Sequence, residues 1–145
     1  MTTIIFITKT IEFIPSDELK YKNNWLLLFR EKYQYTCNKL HGYILDIISI
    51  EEIVNSTISI YNGNVILTCK LKVKNLLPVL DMTIEGTIQK IYNQGIFVLI
   101  KGCMKTFIPK DQLKSKNRIG DDITIQITEI RFFKGKYDCI GKIFL

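Results

Sequence analysis

The chain has one histidine, three prolines and four cysteines in 145 residues, and each scarcity closes a class of function. His41, the single histidine, stands beside Gly42 at a predicted strand start with no evident nucleophile partner. It reads as a turn residue rather than a general base. Cys37, Cys69, Cys103 and Cys139 form no C-x-x-C pair, which supports neither a metal site nor a redox motif; reduced thiols in an intracellular setting are expected. The phosphate loop G-x-x-x-x-G-K-S/T, the dinucleotide fingerprint G-x-G-x-x-G and the hydrolase elbow G-x-S-x-G do not occur. The adjacent carboxylates Glu51-Glu52 and Asp121-Asp122 would point to opposite faces of a strand, so neither pair shares a proton or a metal. The longest apolar runs, such as GIFVLI, are far too short to cross a bilayer. The opening MTTIIFITKTIEFIP lacks the basic region of a secretory signal. A non-enzyme is expected, with no cofactor, no metal and no membrane contact.

What is present is a globular composition, 47% hydrophobic and 23% charged, with a net charge of +6. Residues 1–80 carry +2 and residues 81–145 carry +4, so the basic excess leans toward the second part and favours a polyanionic partner.

Thr3–Ile14 is β-branched and reads as a strand stopped by Pro15. Ser16 or Asp17 can cap a helix, with Glu18 near its positive end, although the helix could begin only at Asn23. Trp25, Leu28, Phe29 and Tyr33 then share one helical face. HGYILDIISIEEIV follows as a strand, and Asn62-Gly63 marks a tight hairpin between two β-rich runs. In TCKLKVK the lysines Lys70, Lys72 and Lys74 oppose Cys69, Leu71 and Val73; a solvated sheet face is the favoured reading over a binding row. Pro78 is the expected break between two domains, 1–80 and 81–145. From Met82 five strands are predicted: about Met82–Tyr92, Ile96–Ile100, Met104–Ile108, Ile123–Phe132 and Asp138–Phe144. The fold expected is an α+β domain, a helix on an antiparallel sheet, followed by an all-β five-stranded barrel of the OB type.

Alternation in the second and third barrel strands places Ile96, Val98, Ile100, Met104, Thr106 and Ile108 on one face. If these fill the barrel, Phe97, Lys101, Lys105 and Phe107 line its outside, and Lys110, Lys114, Lys116 and Arg118 extend the charge. Aromatic platforms for bases beside lysines for phosphates suit single-stranded RNA, while packing of Phe97 or Phe107 against the first half is the competing reading.

The stretch GTIQKIYNQGIFVLIKGCMKTFIPKDQL resembles the RNA-binding OB domain repeated in the large multidomain protein of the bacterial small ribosomal subunit. The likeness lies in G-x-I, GIFV and FIPKDQL, with IGDDITIQITEI in the fourth strand. The whole order adds an N-terminal strand, an amphipathic helix, YTCNKLHGYILDIISI, a hairpin and LLP. That order, with Cys37, Gly42 and Pro78, is similar to the RNA polymerase stalk subunit family, which comprises the seventh subunit of eukaryotic RNA polymerase II and its archaeal counterpart. The short, Ile-, Lys- and Asn-rich chain points toward a reduced viral member.

The resemblance implies a non-catalytic subunit whose first domain, the tip, docks on the large subunits at the base of the polymerase clamp. Its barrel would meet nascent RNA beside a small helical partner subunit. Docking would fall to Asn38, Lys39, His41 and Gly42 and to the hairpin at Asn62 and Gly63. The RNA face would be Phe97, Lys101, Lys105 and Phe107, with Lys110 and Lys114. The implied location is the nucleus, or the cytoplasm or virion for a cytoplasmic DNA virus. Gln94 and Pro109 stand where RNA-binding relatives often carry an aromatic and a histidine, and Asp81 stands near a usual glycine; these departures imply weak, sequence-tolerant binding. The alternative function is a free-standing OB-fold factor in translation or RNA decay.

Overall fold

The computed structural model describes residues 2–15, 25–112 and 117–144. The chain divides into two compact units, Thr2–Thr36 with Ile44–Asn75, and Cys37–Tyr43 with the chain from Leu76 onward.

In the first unit, strand β1 (Thr2–Phe13) is followed by helix α1 (Trp25–Tyr33), most of β3 (Gly42–Ile58) and β4 (Val65–Leu76). The two-residue β2 (Cys37–Asn38), which belongs to the second unit, pairs with Gly42 and Tyr43 at the start of β3, and the strand order is β1-β4-β3-β2. The Thr3 hydroxyl donates to Asn75 Oδ1 at 2.5 Å, and the Thr10 and Thr68 hydroxyls lie 2.8 Å apart. One strand climbs as the other descends, as antiparallel pairing requires. Alternation decides the two faces of β4: Leu67, Cys69, Leu71 and Val73 are buried, while Lys70 and Lys74 are exposed and Lys72 is half-exposed. The lysine row therefore faces away from the core, and the Lys70 ammonium sits 5.2 Å from the Phe6 ring centroid, within cation–π range.

Helix α1 closes the core over the opposite face. Phe29 is fully buried, and Trp25, Leu26, Leu28 and Tyr33 pack around the same cluster. Side chains of the helix and of the residue that follows it also bind the backbone of β3. Arg30 donates to the Ile47 carbonyl from Nε (3.1 Å) and Nη2 (3.0 Å) and pairs with Asp46 at 3.3 Å. Gln34 Nε2 donates to the Leu45 carbonyl at 3.0 Å. The expected helix starts at Ser16, Asp17 and Asn23 lie outside the described residues.

The turn at Asn62-Gly63 is wider than the tight two-residue hairpin expected. The Ser59 N–H donates to the Asn64 carbonyl and the Gly63 N–H to the Ser59 carbonyl, enclosing residues 60–63. Only Gly63 of the dipeptide takes positive φ (73°), because the Asn62 side chain accepts the Asn64 N–H at 2.9 Å and fixes the loop in another way.

The second unit is a closed barrel of β5 (Thr83–Tyr92), β6 (Gly95–Ile100), β7 (Met104–Pro109), β8 (Asp122–Phe133) and β9 (Lys136–Ile143). Its strand order is β5-β6-β7-β9-β8, with β8 closing on β5, and β7 runs parallel to β9 while the other pairs are antiparallel. That is an OB-like arrangement. Ile88, Ile96, Val98, Ile100, Met104, Ile108, Ile125 and Ile127 fill the interior, each no more than 1% exposed. Two turns use paired positive φ, Lys101-Gly102 (53° and 75°) and Lys134-Gly135 (50° and 73°), which matches the right-handed twist of the strands they join.

Residues 37–43 belong to this unit and are tied to β9. The Tyr43 hydroxyl donates to the Tyr137 carbonyl (3.2 Å) and accepts the Tyr137 N–H (3.1 Å), and the Tyr137 hydroxyl donates to the Lys39 carbonyl (2.5 Å). Gly42 (φ +74°) makes the approach possible, since a Cβ there would meet the Leu76 carbonyl oxygen at 2.1 Å.

Candidate nucleic-acid interface

Strands β6 and β7 obey the predicted alternation. Even-numbered residues from Ile96 to Ile108 in these strands are buried, whereas Phe97, Leu99 and Phe107 are half-buried and Lys105 is exposed. The two phenylalanines are direct cross-strand partners, their ring centroids 5.2 Å apart at 48°. Tyr92 meets Phe97 edge-on at 5.8 Å and 89°. Both pairs fall in the favourable range for aromatic contacts and form a small apolar platform. Gly95 leaves room for it: a Cβ there would lie 2.2 Å from the Ile108 carbonyl oxygen and 2.8 Å from the Phe107 ring.

The strand registers extend the platform into two rows across the outer surface. One runs Lys90–Phe97–Phe107–Ile140–Glu129, and the other Leu99–Lys105–Asp138–Arg131. Together they border a groove of about 340 Å3, lined by Phe97, Lys105, Phe107, Glu129, Arg131 and Asp138 among others. Its apolar middle is flanked by charges of both signs. Below it lies Cys139, whose thiol burial pushes up to about 12, so it forms part of the neutral floor.

A β-bulge builds one side of the groove. In β8, Ile125 and Ile127 point inward, and unbroken alternation would send Glu129 inward too. The register instead shifts between Ile127 and Glu129, placing Glu129 opposite Ile140 and Arg131 opposite Asp138. The Thr128 hydroxyl donates to the Ile140 carbonyl at 3.1 Å. The sequence carried a signal for this, a carboxylate in phase with two core isoleucines, and alternation alone missed Glu129, Arg131 and Asp138 as members of the face.

Of the residues expected on the RNA face, the structure brings Phe97, Lys105 and Phe107 together. Lys101 is not with them. It sits in the β6–β7 turn beside a separate hollow of about 300 Å3 that includes Glu85, Thr87 and Asp122, because alternation ends where the turn begins. Lys110 opens a 3-10 turn (Lys110–Gln112), and its N–H donates to the Gln94 carbonyl at 2.8 Å, which sets it at the β5–β6 turn. Lys114 and Lys116 lie outside the described residues. The Asp121 carboxylate accepts the Arg118 N–H, and Asp122 accepts the Thr87 hydroxyl.

The residues expected to dock on a polymerase fall in both units. Asn38, Lys39, His41 and Gly42 belong to the barrel unit. The Asn38 side chain accepts the His41 N–H at 2.9 Å, and His41 is buried with Nδ1 2.9 Å from the Gly42 carbonyl oxygen. Asn62 and Gly63 belong to the sheet unit, in the exposed loop where Ile60 is 90% and Tyr61 92% exposed. Burial also pushes the Cys37 and Cys103 thiols up to about 11 and the Tyr43 phenol up to about 12.

Fold and face together define a chain with an OB-like barrel bearing an aromatic groove, joined to an α+β sheet unit. No protein-family model matches it, and no curated protein matches it. Among solved structures it is similar to uncharacterized protein MJ1198 from Methanocaldococcus jannaschii, at 16% identity and a TM-score of 0.42. That match covers 48% of this chain and 96% of that one. Among the described residues no helix is long and apolar enough to cross a membrane.

Proposed function

We propose that this chain is a non-catalytic subunit of a DNA-directed multisubunit RNA polymerase, with a barrel that contacts nascent single-stranded RNA. The observation that carries the RNA reading is the Phe97–Phe107 pair with Lys105 beside it. These residues occupy the middle barrel strands with which OB folds bind oligonucleotides, and rings with adjacent cations suit a strand whose bases are free to stack. The polymerase reading is supported by the order of a helix-on-sheet unit before the barrel, the order that resembles the stalk subunits. The exposed apolar loop at Ile60 and Tyr61 offers a surface for docking on the large subunits.

The test is affinity capture of the tagged chain from the cells that express it. The two largest polymerase subunits should co-purify, and the double variant Ile60→Asp, Tyr61→Asp should lose them while keeping its affinity for RNA. Recovery of ribosomes or decay enzymes alone would favour the free-standing factor. Substitution is preferable to truncation at residue 80, which would strip the Lys39 and Tyr43 hydrogen bonds from β9.

A further inference from the structure

The groove over the phenylalanines is electrically lopsided along the row that crosses it, with Lys90 at one end, two rings in the middle and Glu129 at the other. We propose that this groove selects guanine, one base stacking on Phe107 and Ile140 while Glu129 accepts the N–H groups of its Watson–Crick edge. The inference deepens the RNA reading above and rests on it.

A carboxylate in an RNA-binding groove repels phosphate, so the backbone must run where the cations are, along the row of Lys105 and Arg131 and toward Lys90 beyond the groove. Only a base edge carrying N–H donors can approach Glu129. Neighbouring strands are about 4.8 Å apart, which puts Glu129 roughly 10 Å from Phe107 along the row. A purine lying over Phe107 and Ile140 and a glutamate side chain reaching inward close that distance. The groove, at about 340 Å3, is at the small end of the range for small-molecule sites and suits a single base.

Guanine alone among the four bases presents two adjacent donors, N1–H and the N2 amino group, that a carboxylate can accept together. Adenine and cytosine each offer one amino group, and uracil's N3–H is flanked by two carbonyl oxygens that a carboxylate repels. Asp138 faces the same groove but lies in register between Lys105 and Arg131, which offset its charge. In its own row Glu129 has only Ile140 beside it; Arg131 lines the groove two residues further along β8, opposite Asp138 and with no ion pair to Glu129, so the Glu129 carboxylate is the one left to read a base. The bulge at Thr128 is what turns it outward.

The experiment measures binding of the full chain to short uridine-rich RNAs with or without one central guanosine. The guanosine strand should bind about tenfold more tightly. Replacing guanosine by inosine, which lacks only the N2 amino group, should forfeit roughly fivefold, whereas 7-deazaguanosine, with its Watson–Crick edge intact, should bind like guanosine. Glu129→Gln should abolish the preference while uridine-strand affinity stays the same or rises. Equal binding of all strands by the native chain, or a preference unchanged in Glu129→Gln, overturns the guanine assignment and leaves the RNA reading standing. No binding of any strand overturns both. Capture of an arginine-rich peptide in place of RNA, lost in Glu129→Gln, would make the groove a protein-docking site.

Discussion

The sheet unit and the barrel each bury one face of a β-sheet, but they treat the other face and the edges differently. The sheet unit stays open: α1 covers one side, Arg30 and Gln34 satisfy carbonyls of β3, and apolar residues such as Ile53, Val54, Ile60 and Tyr61 remain exposed. The barrel closes on itself, so every strand finds two neighbours and the core is enclosed. Outside the contact of residues 37–43 with β9, its outer face can carry rings and charges. The open sheet leaves apolar residues uncovered, and the closed barrel leaves rings and charges on its outer face.

Phe29→Ala should separate the two units most strongly. Emptying the core beneath α1 should cost about 3–5 kcal/mol, measured by denaturant unfolding. Because the barrel has its own core, RNA binding should persist at denaturant concentrations where the sheet unit has melted; joint loss of both would show that the units unfold as one. Gly95→Ala is the mirror experiment. Its Cβ meets the Ile108 carbonyl and the Phe107 ring, so it should destabilise the barrel by about 1–3 kcal/mol and weaken RNA binding, with hydrogen exchange in the sheet unit unchanged.

Phe97→Ala probes the face without the core and should cost about 1–3 kcal/mol of RNA affinity at unchanged stability. Lys105→Ala beside it should lower the salt slope by about one unit or less. Unchanged binding by both would mean that the face does not touch RNA. The smallest effect separates the units by pH. Burial raises Cys37, Cys103, Cys139 and Tyr43, all in the barrel unit, to between about 11 and about 12, above their ordinary values of 9.0 and 10.0. A raised folded pKa means stability that is complete below pH 9 and is lost as pH climbs through 11 to 12. Thermal melts across that window should show the barrel declining before the sheet unit, which holds one further thiol raised by burial, Cys69.

How legible each part was follows from how local its cause is. Alternation in β4, β6 and β7 depends on a strand's own residues, so the lysine face and the Phe97, Lys105 and Phe107 cluster could be read directly. The turn at Lys101-Gly102 was also readable, but the swing of Lys101 away from the aromatic face was not, since it depends on the φ of a turn. The two bulges, near Gln89 and Thr128, are settled by the partner strand, and they decide that Lys90 and Glu129 cap the aromatic row. Nor does any local pattern announce that Tyr43 would bond the backbone of Tyr137, 94 residues on. The departures at Gln94 and Pro109 had implied tolerance of any base; Glu129, invisible to that comparison, argues for a choice.

The extra residue at Thr128 works as a frameshift in space. Point changes near it would alter one side chain at a time, and losing Thr128 itself would remove the bulge and leave Ile127 and Glu129 in regular alternation. Glu129 and Arg131 would then keep their places opposite Ile140 and Asp138, and Ile130 would stay opposite Cys139. The phase of the strand beyond the bulge is thus held by its pairing with β9 rather than by the number of residues before it. Lineages could lose or regain the residue at Thr128 and keep this surface, while a change at Glu129 or Arg131 would alter it.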